Sequence, residues 1–151
     1  MSTFYAILVF VHILAACAWI GGGFVMEVMG LRLGATPNTE RMKQFFDVAH
    51  YVSPRVFMPA AILTLISGLT LVFMGGALFR DRWIIIALTG VVLTLVIGAT
   101  QIGPNVARMK ALLDSNGDSA EINRVGARLT FVTRLDLFIL VVVLFDMVVK
   151  P

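Results

Sequence analysis

The sequence is poor in charge, in cysteine and in histidine. Only 14% of its 151 residues are Asp, Glu, Lys or Arg, against 59% hydrophobic residues. A soluble domain averages roughly 25% charged and 45–50% apolar residues, so this composition excludes an ordinary water-soluble domain. The mean hydropathy of +0.94 points the same way, to an integral membrane protein. The single cysteine, Cys17, excludes an intrachain disulfide and, set among apolar neighbours, reads as a packing residue. Two histidines are too few for a dihaem four-helix cytochrome with two bis-histidine sites. A net charge of +3 does not indicate nucleic acid, because the basic residues lie at the ends of apolar runs and form no patch. There is no internal repeat and no low-complexity segment.

What is present is four long apolar runs, at about residues 4–29, 45–75, 83–107 and 129–149. Each reaches the roughly 20 residues that a spanning helix needs. Lipid obliges a segment to satisfy its own backbone hydrogen bonds, so the expected fold is all-α. It is a single polytopic domain over residues 1–151, a bundle of four transmembrane helices. Ala16, Cys17 and Ala18 loosely resemble a signal-peptide cleavage site, but "MSTFYAI" has no basic residue and the apolar run continues past it. The first run is therefore expected to be an uncleaved helix. Asn38 or Thr39 is expected to cap the second helix, and "DSNGDS" to form a solvated turn.

The basic residues predict orientation. Arg32, Arg41, Lys43, Arg108, Lys110, Arg124 and Arg128 fall beside the first and third loops, whereas Arg80, Arg82 and Lys150 fall on the opposite side. This bias places the long loops in the cytoplasm and both termini in the periplasm of a bacterial inner membrane.

Ionisable residues inside a span are costly and mark candidate functional positions. His12, His50, Arg55, Arg134 and Asp136 qualify. At 1.5 Å per residue, His12 lies about 12 Å from the periplasmic side and Met58 about 20 Å from the cytoplasmic side. In a core about 30 Å thick these depths coincide, so His12 and Met58 are expected to face each other across one planar ligand. His50 is shallower, about 8 Å from the cytoplasmic side. Arg55 is placed either to pair with Asp136 or to hold an anionic group of a ligand. Arg134 and Asp136 are about 200° apart on their helix, so one of them snorkels or sits at a helix interface. Asp146, near Lys150, reads as interfacial. Small residues, including Ala15, Ala16, Gly22 and Gly23, flank the His12–Ala16–Trp19 face and allow close approach of a helix or a flat macrocycle. Pro54 and Pro59 are expected to bend the second helix around Arg55 and Met58.

The stretches "HILAACAWIGG", "RVFMP", a tryptophan opening the third run and "DMVVKP" together resemble a group of small four-helix membrane proteins. That group includes the HemJ-type protoporphyrinogen oxidases, the CopD-like proteins and a set of predicted integral membrane proteins without assigned function, which is the nearest match. The resemblance covers nearly the whole chain. It implies one haem b, with His12 and Met58 as axial ligands and Arg55 matching a basic residue of the HemJ type. The lysine that HemJ-type proteins carry after the third-helix tryptophan is missing, for "RWIIIALTG" has Ala87 there.

The expected function is thus b-type haem binding with a redox role, either electron transfer or oxidation of a lipophilic, porphyrin-like substrate. Iron is the metal, held by His12 and Met58; Arg55, Trp19 and His50 complete the candidate cofactor site. The expected partners are the lipid bilayer, a quinone or membrane redox partner, and a second copy of the chain. Two alternatives stay open. One is copper handling by His12, Met26, Met29 and Met58, since thioether and imidazole suit Cu(I). The other is a non-catalytic scaffold subunit in which His12 and Arg55 form interhelical hydrogen bonds.

Overall fold

A computed structural model of the chain describes residues 2–35, 38–75 and 81–149. These form four long helices: α1 (Thr3–Ala35), α2 (Thr39–Gly75), α3 (Arg82–Asp114) and α4 (Ser119–Val149). No strand occurs among the described residues. By length and composition α1, α2 and α3 each suffice to cross a membrane. α4 carries Arg134, Asp136 and Asp146 in its apolar part.

Each helix outruns its apolar stretch, mostly on the side of the long loops. α1 and α3 have 33 residues each, about 50 Å of helix, and α2 has 37. The boundaries at residues 29, 45, 107 and 129 are therefore corrected, because an apolar run measures the part of a helix that lies in lipid. Beyond it, charged and polar residues continue the same helix into water. What reads as a long third loop is the end of α3 and the first three turns of α4, joined by a tight turn. Asn116 takes a left-handed conformation (φ 49°). Its N–H donates to the Leu113 carbonyl at 3.4 Å and that of Gly117 to Leu112 at 2.8 Å, a Schellman closure. The "DSNGDS" turn is thus confirmed, as is Asn38 as a cap: its side chain accepts from the Arg41 N–H at 3.0 Å.

Consecutive helices run antiparallel and pack as neighbours, and α4 closes back onto α1. Two buried layers fill the bundle. One joins Trp19, Ala60, Ala61, Ala87, Val91, Leu140 and Val143. The other, toward the long loops, joins Ala49, Val106, Met109, Leu113, Val125 and Leu129. Large apolar side chains such as Phe10, Ile66, Phe138 and Phe145 point outward, as lipid allows. Cys17 is exposed among them, so its reading as a packing residue is corrected.

The contacts between helices rely on residues with little or no side chain. A Cβ on Gly22 would lie 2.4 Å from Phe57 Cε1, and one on Gly90 would lie 2.3 Å from Val143 Cγ2. Val143 is β-branched and stiff, so it has little freedom to move aside. Replacing Gly90 with Ala is expected to cost about 1–3 kcal/mol through overpacking. Gly21 has open space around its Cβ position, and Gly21→Ala is expected to leave stability unchanged or slightly raised. Thermal unfolding of the two variants in mild detergent checks this; equal midpoints would contradict the packing.

Candidate functional site

Two places hold polar groups at membrane depth. The first is the contact between α1 and α2. His12 Nδ1 and Ser67 Oγ are 3.0 Å apart, and the imidazole lies against Gly68, with Cε1 3.0 Å from the position a Cβ would take. Ser67 Oγ donates to the Leu63 carbonyl at 2.5 Å and lies 3.2 Å from that of Thr64. A hydroxyl has one proton, so Ser67 receives its hydrogen bond from His12 and the imidazole proton sits on Nδ1. Nε2 then keeps its lone pair. His12 is half-buried and Ser67 fully buried.

This arrangement does not bring His12 and Met58 together. Gly22 meets Phe57 and His12 meets Gly68, which fixes the antiparallel register of α1 on α2. Met58 is nine residues from Ser67, about 13 Å along the axis. The coincidence of depths fails because it assumed a bundle about 30 Å tall, whereas the helices are about 50 Å long. Met58 is 41% exposed.

The second place is a cavity of about 860 Å³ in the half of the bundle toward the long loops. Trp19, His50 and Met58 line it, and His12 and Arg55 do not. Of the sulfur ligands considered for copper, Met26 and Met58 line it and Met29 does not. Two π-helical turns border the cavity, Ser53–Phe57 in α2 and Gly98–Ile102 in α3. The first holds Pro54, and Pro104 lies two residues past the second. Proline has no N–H, and the wider turn absorbs the missing bond. The predicted disturbance at "SPRVFMP" is therefore a π turn; its counterpart in α3 was not predicted, although Pro104 marks it.

Asp136 also lines the cavity. It is 8% exposed, and its Oδ1 has no hydrogen-bond partner among the described residues. Arg55 is not its partner. That guanidinium is exposed, donates to the Tyr51 carbonyl at 3.3 Å and stacks 4.1 Å from the Tyr51 ring. Arg134 instead pairs with Glu27, Nε to Oε1 at 2.7 Å, and Thr133 Oγ1 lies 3.1 Å from Glu27 Oε2. So Arg134 is the interfacial member of the Arg134–Asp136 pair, and Asp136 points inward. Glu27 was missed by the sequence reading, although an acid within an apolar run was signal enough. Asp146 is 6% exposed, so it is buried and not interfacial, and its Oδ2 has no partner among the described residues, of which Lys150 is not one. Among the described residues, no three His, Cys, Asp or Glu side chains are grouped to hold a metal ion.

One family profile, that of predicted integral membrane proteins (DUF2269), matches residues 6–151. The chain belongs to that family. No curated protein and no solved structure matches it. The match spans both polar places, and the family's description assigns neither a role.

A buried carboxyl group without a donor destabilises the fold it sits in. Asp136→Leu is therefore expected to stabilise this family member by about 1–3 kcal/mol. Chemical or thermal unfolding in detergent checks this, and a destabilised Asp136→Leu would mean that the carboxyl has a structural partner.

Proposed function

We propose that this integral membrane protein binds a lipophilic molecule inside its bundle, as a four-span protein with both termini on the periplasmic side of a bacterial inner membrane. The observation that carries the reading is the cavity. Its volume of about 860 Å³ falls within the 300–1,000 Å³ typical of small-molecule sites. Its walls are mainly apolar and aromatic, with few polar groups, and two π turns border it. π turns are rare and recur at functional sites. The placement of basic residues supports the orientation: the cavity opens the half of the bundle that the positive-inside rule assigns to the cytoplasm.

Trp19 lines the cavity and is one of two tryptophans, so a Trp83→Phe chain reports from the cavity alone. In lipid nanodiscs, a brominated long-chain alcohol is expected to quench Trp19 saturably. Gly98 lines the cavity and has open space at its Cβ position, so Gly98→Leu is expected to fill the site and abolish the saturable part. Quenching that rises linearly with probe and is the same in Gly98→Leu would overturn the reading.

The second reading is haem with a redox role, and the His12–Ser67 hydrogen bond favours it. A metal-binding histidine commonly donates its other ring N–H to an acceptor, and Ser67 supplies one. Met58 does not fit as the opposite ligand, so this reading rests on His12 alone. A reduced-minus-oxidised visible spectrum is expected to show a b-type band that His12→Ala loses and Met58→Ala keeps. A purified protein with no Soret band after expression with ample haem would contradict it.

A further inference from the structure

We infer that the molecule held in the cavity is a cation: an apolar body carrying one protonated amine or quaternary ammonium nitrogen, with Asp136 as its counter-ion. The inference rests on the cavity being a binding site and adds the chemistry of its occupant.

Charge is the first argument. Among the described residues the lining holds two acids, Glu27 and Asp136, and no lysine or arginine. Glu27 is satisfied by Arg134 and Thr133. Asp136 is more than nine-tenths buried and takes part in no ion pair among the described residues. The two arginines nearest in sequence or depth are engaged elsewhere, Arg134 on Glu27 and Arg55 on Tyr51. Buried charges are retained where something pairs with them, and nothing described in this chain pairs with Asp136.

Hydrogen-bond polarity is the second. Ser53 and Thr94 line the cavity, and each hydroxyl donates to a backbone carbonyl of its own helix, while the one proton of Thr133 is shared between Glu27 and the Leu129 carbonyl. They offer a ligand lone pairs rather than protons. Pro54 and Pro104, also in the lining, have no N–H to offer a ligand. His50, Asn123 and the Trp19 indole are the remaining side chains with N–H groups. The site is richer in acceptors than in donors, which favours a donor-bearing cation and disfavours an anion.

The walls are the third. Trp19, Phe45, Phe46 and Phe57 line the same space. Aromatic faces attract desolvated ammonium groups through their quadrupoles, and such sets recur where quaternary ammonium ligands are bound.

The Trp83→Phe chain in phosphatidylglycerol nanodiscs tests this with three isosteric brominated probes: an amine, an alcohol and a carboxylate. Comparison with Asp136→Asn in the same discs cancels partitioning of the amine into an anionic bilayer. The amine is expected to half-saturate Trp19 quenching at a concentration about tenfold lower in the parent chain than in Asp136→Asn. The alcohol is expected to bind both chains alike, and the carboxylate to bind neither. Equal amine binding by parent and Asp136→Asn, or a carboxylate that binds as well as the amine, would overturn the proposal while leaving the cavity reading intact. Failure of the alcohol as well would instead remove the cavity reading. Displacement of the amine by added phosphatidylethanolamine assigns the cation to a lipid headgroup; no displacement assigns it to a free amphiphile.

Discussion

The structure depends on where two helices come close enough to lock their register. α1 meets α2 at Gly22, where Phe57 fills the missing side chain, and at Gly68, where the His12 ring does. Ten residues separate the contacts on α1 and eleven on α2, so the pair is held at two levels and cannot slide by a turn. In lipid no hydrophobic force distinguishes one apolar contact from another, so shape and hydrogen bonds decide which helices pack and in what register. This register assigns His12 to Ser67 and leaves Met58 to the lower half of the bundle.

The lower half differs in character from the upper one. In the half away from the long loops, small residues such as Ala15, Ser67, Ala87 and Gly90 let the helices touch, with Ile84, Leu140 and Val143 filling the remaining space. In the lower half, π turns in both α2 and α3 widen the helices at one level, and the space between them is not filled. Asp136 and Glu27 both reach that space from facing helices. Glu27 is neutralised by Arg134, next in sequence to Thr133, whose hydroxyl lies on the same carboxylate, while Asp136 has no such partner among the described residues. An otherwise economical chain keeps a carboxyl where it weakens the fold, which is the pattern expected of a binding group rather than a packing group.

Membrane class, helix number and the two connecting devices at Asn38 and Asn116 were legible in the sequence because they follow from local rules: apolar length, caps and left-handed turns. That Arg134 and Asp136 face different ways was legible from their offset of about 200°, but which of them points inward was not. The partners of His12 were not, because serine and glycine in an apolar run carry no mark of what faces them. Depth counted inward from the ends of apolar runs failed for a similar reason. It located the lipid, not the ends of the helices, and a bundle about 50 Å long has room for two levels where a span about 30 Å thick has one. The π turn of α2 was legible from Pro54 and Pro59, whereas that of α3, in "GATQI", has its one proline, Pro104, beyond its end and inside an apolar run read as ordinary helix.

Crystals grown with the brominated amine, measured at the bromine absorption edge, would test the account most directly. The account predicts an anomalous peak inside the cavity among Trp19, Phe57 and Leu140, with the ammonium nitrogen at hydrogen-bond distance from the Asp136 carboxyl. A peak on the outer, lipid-facing surface, or a cavity whose density continues without a contact to Asp136, would contradict it.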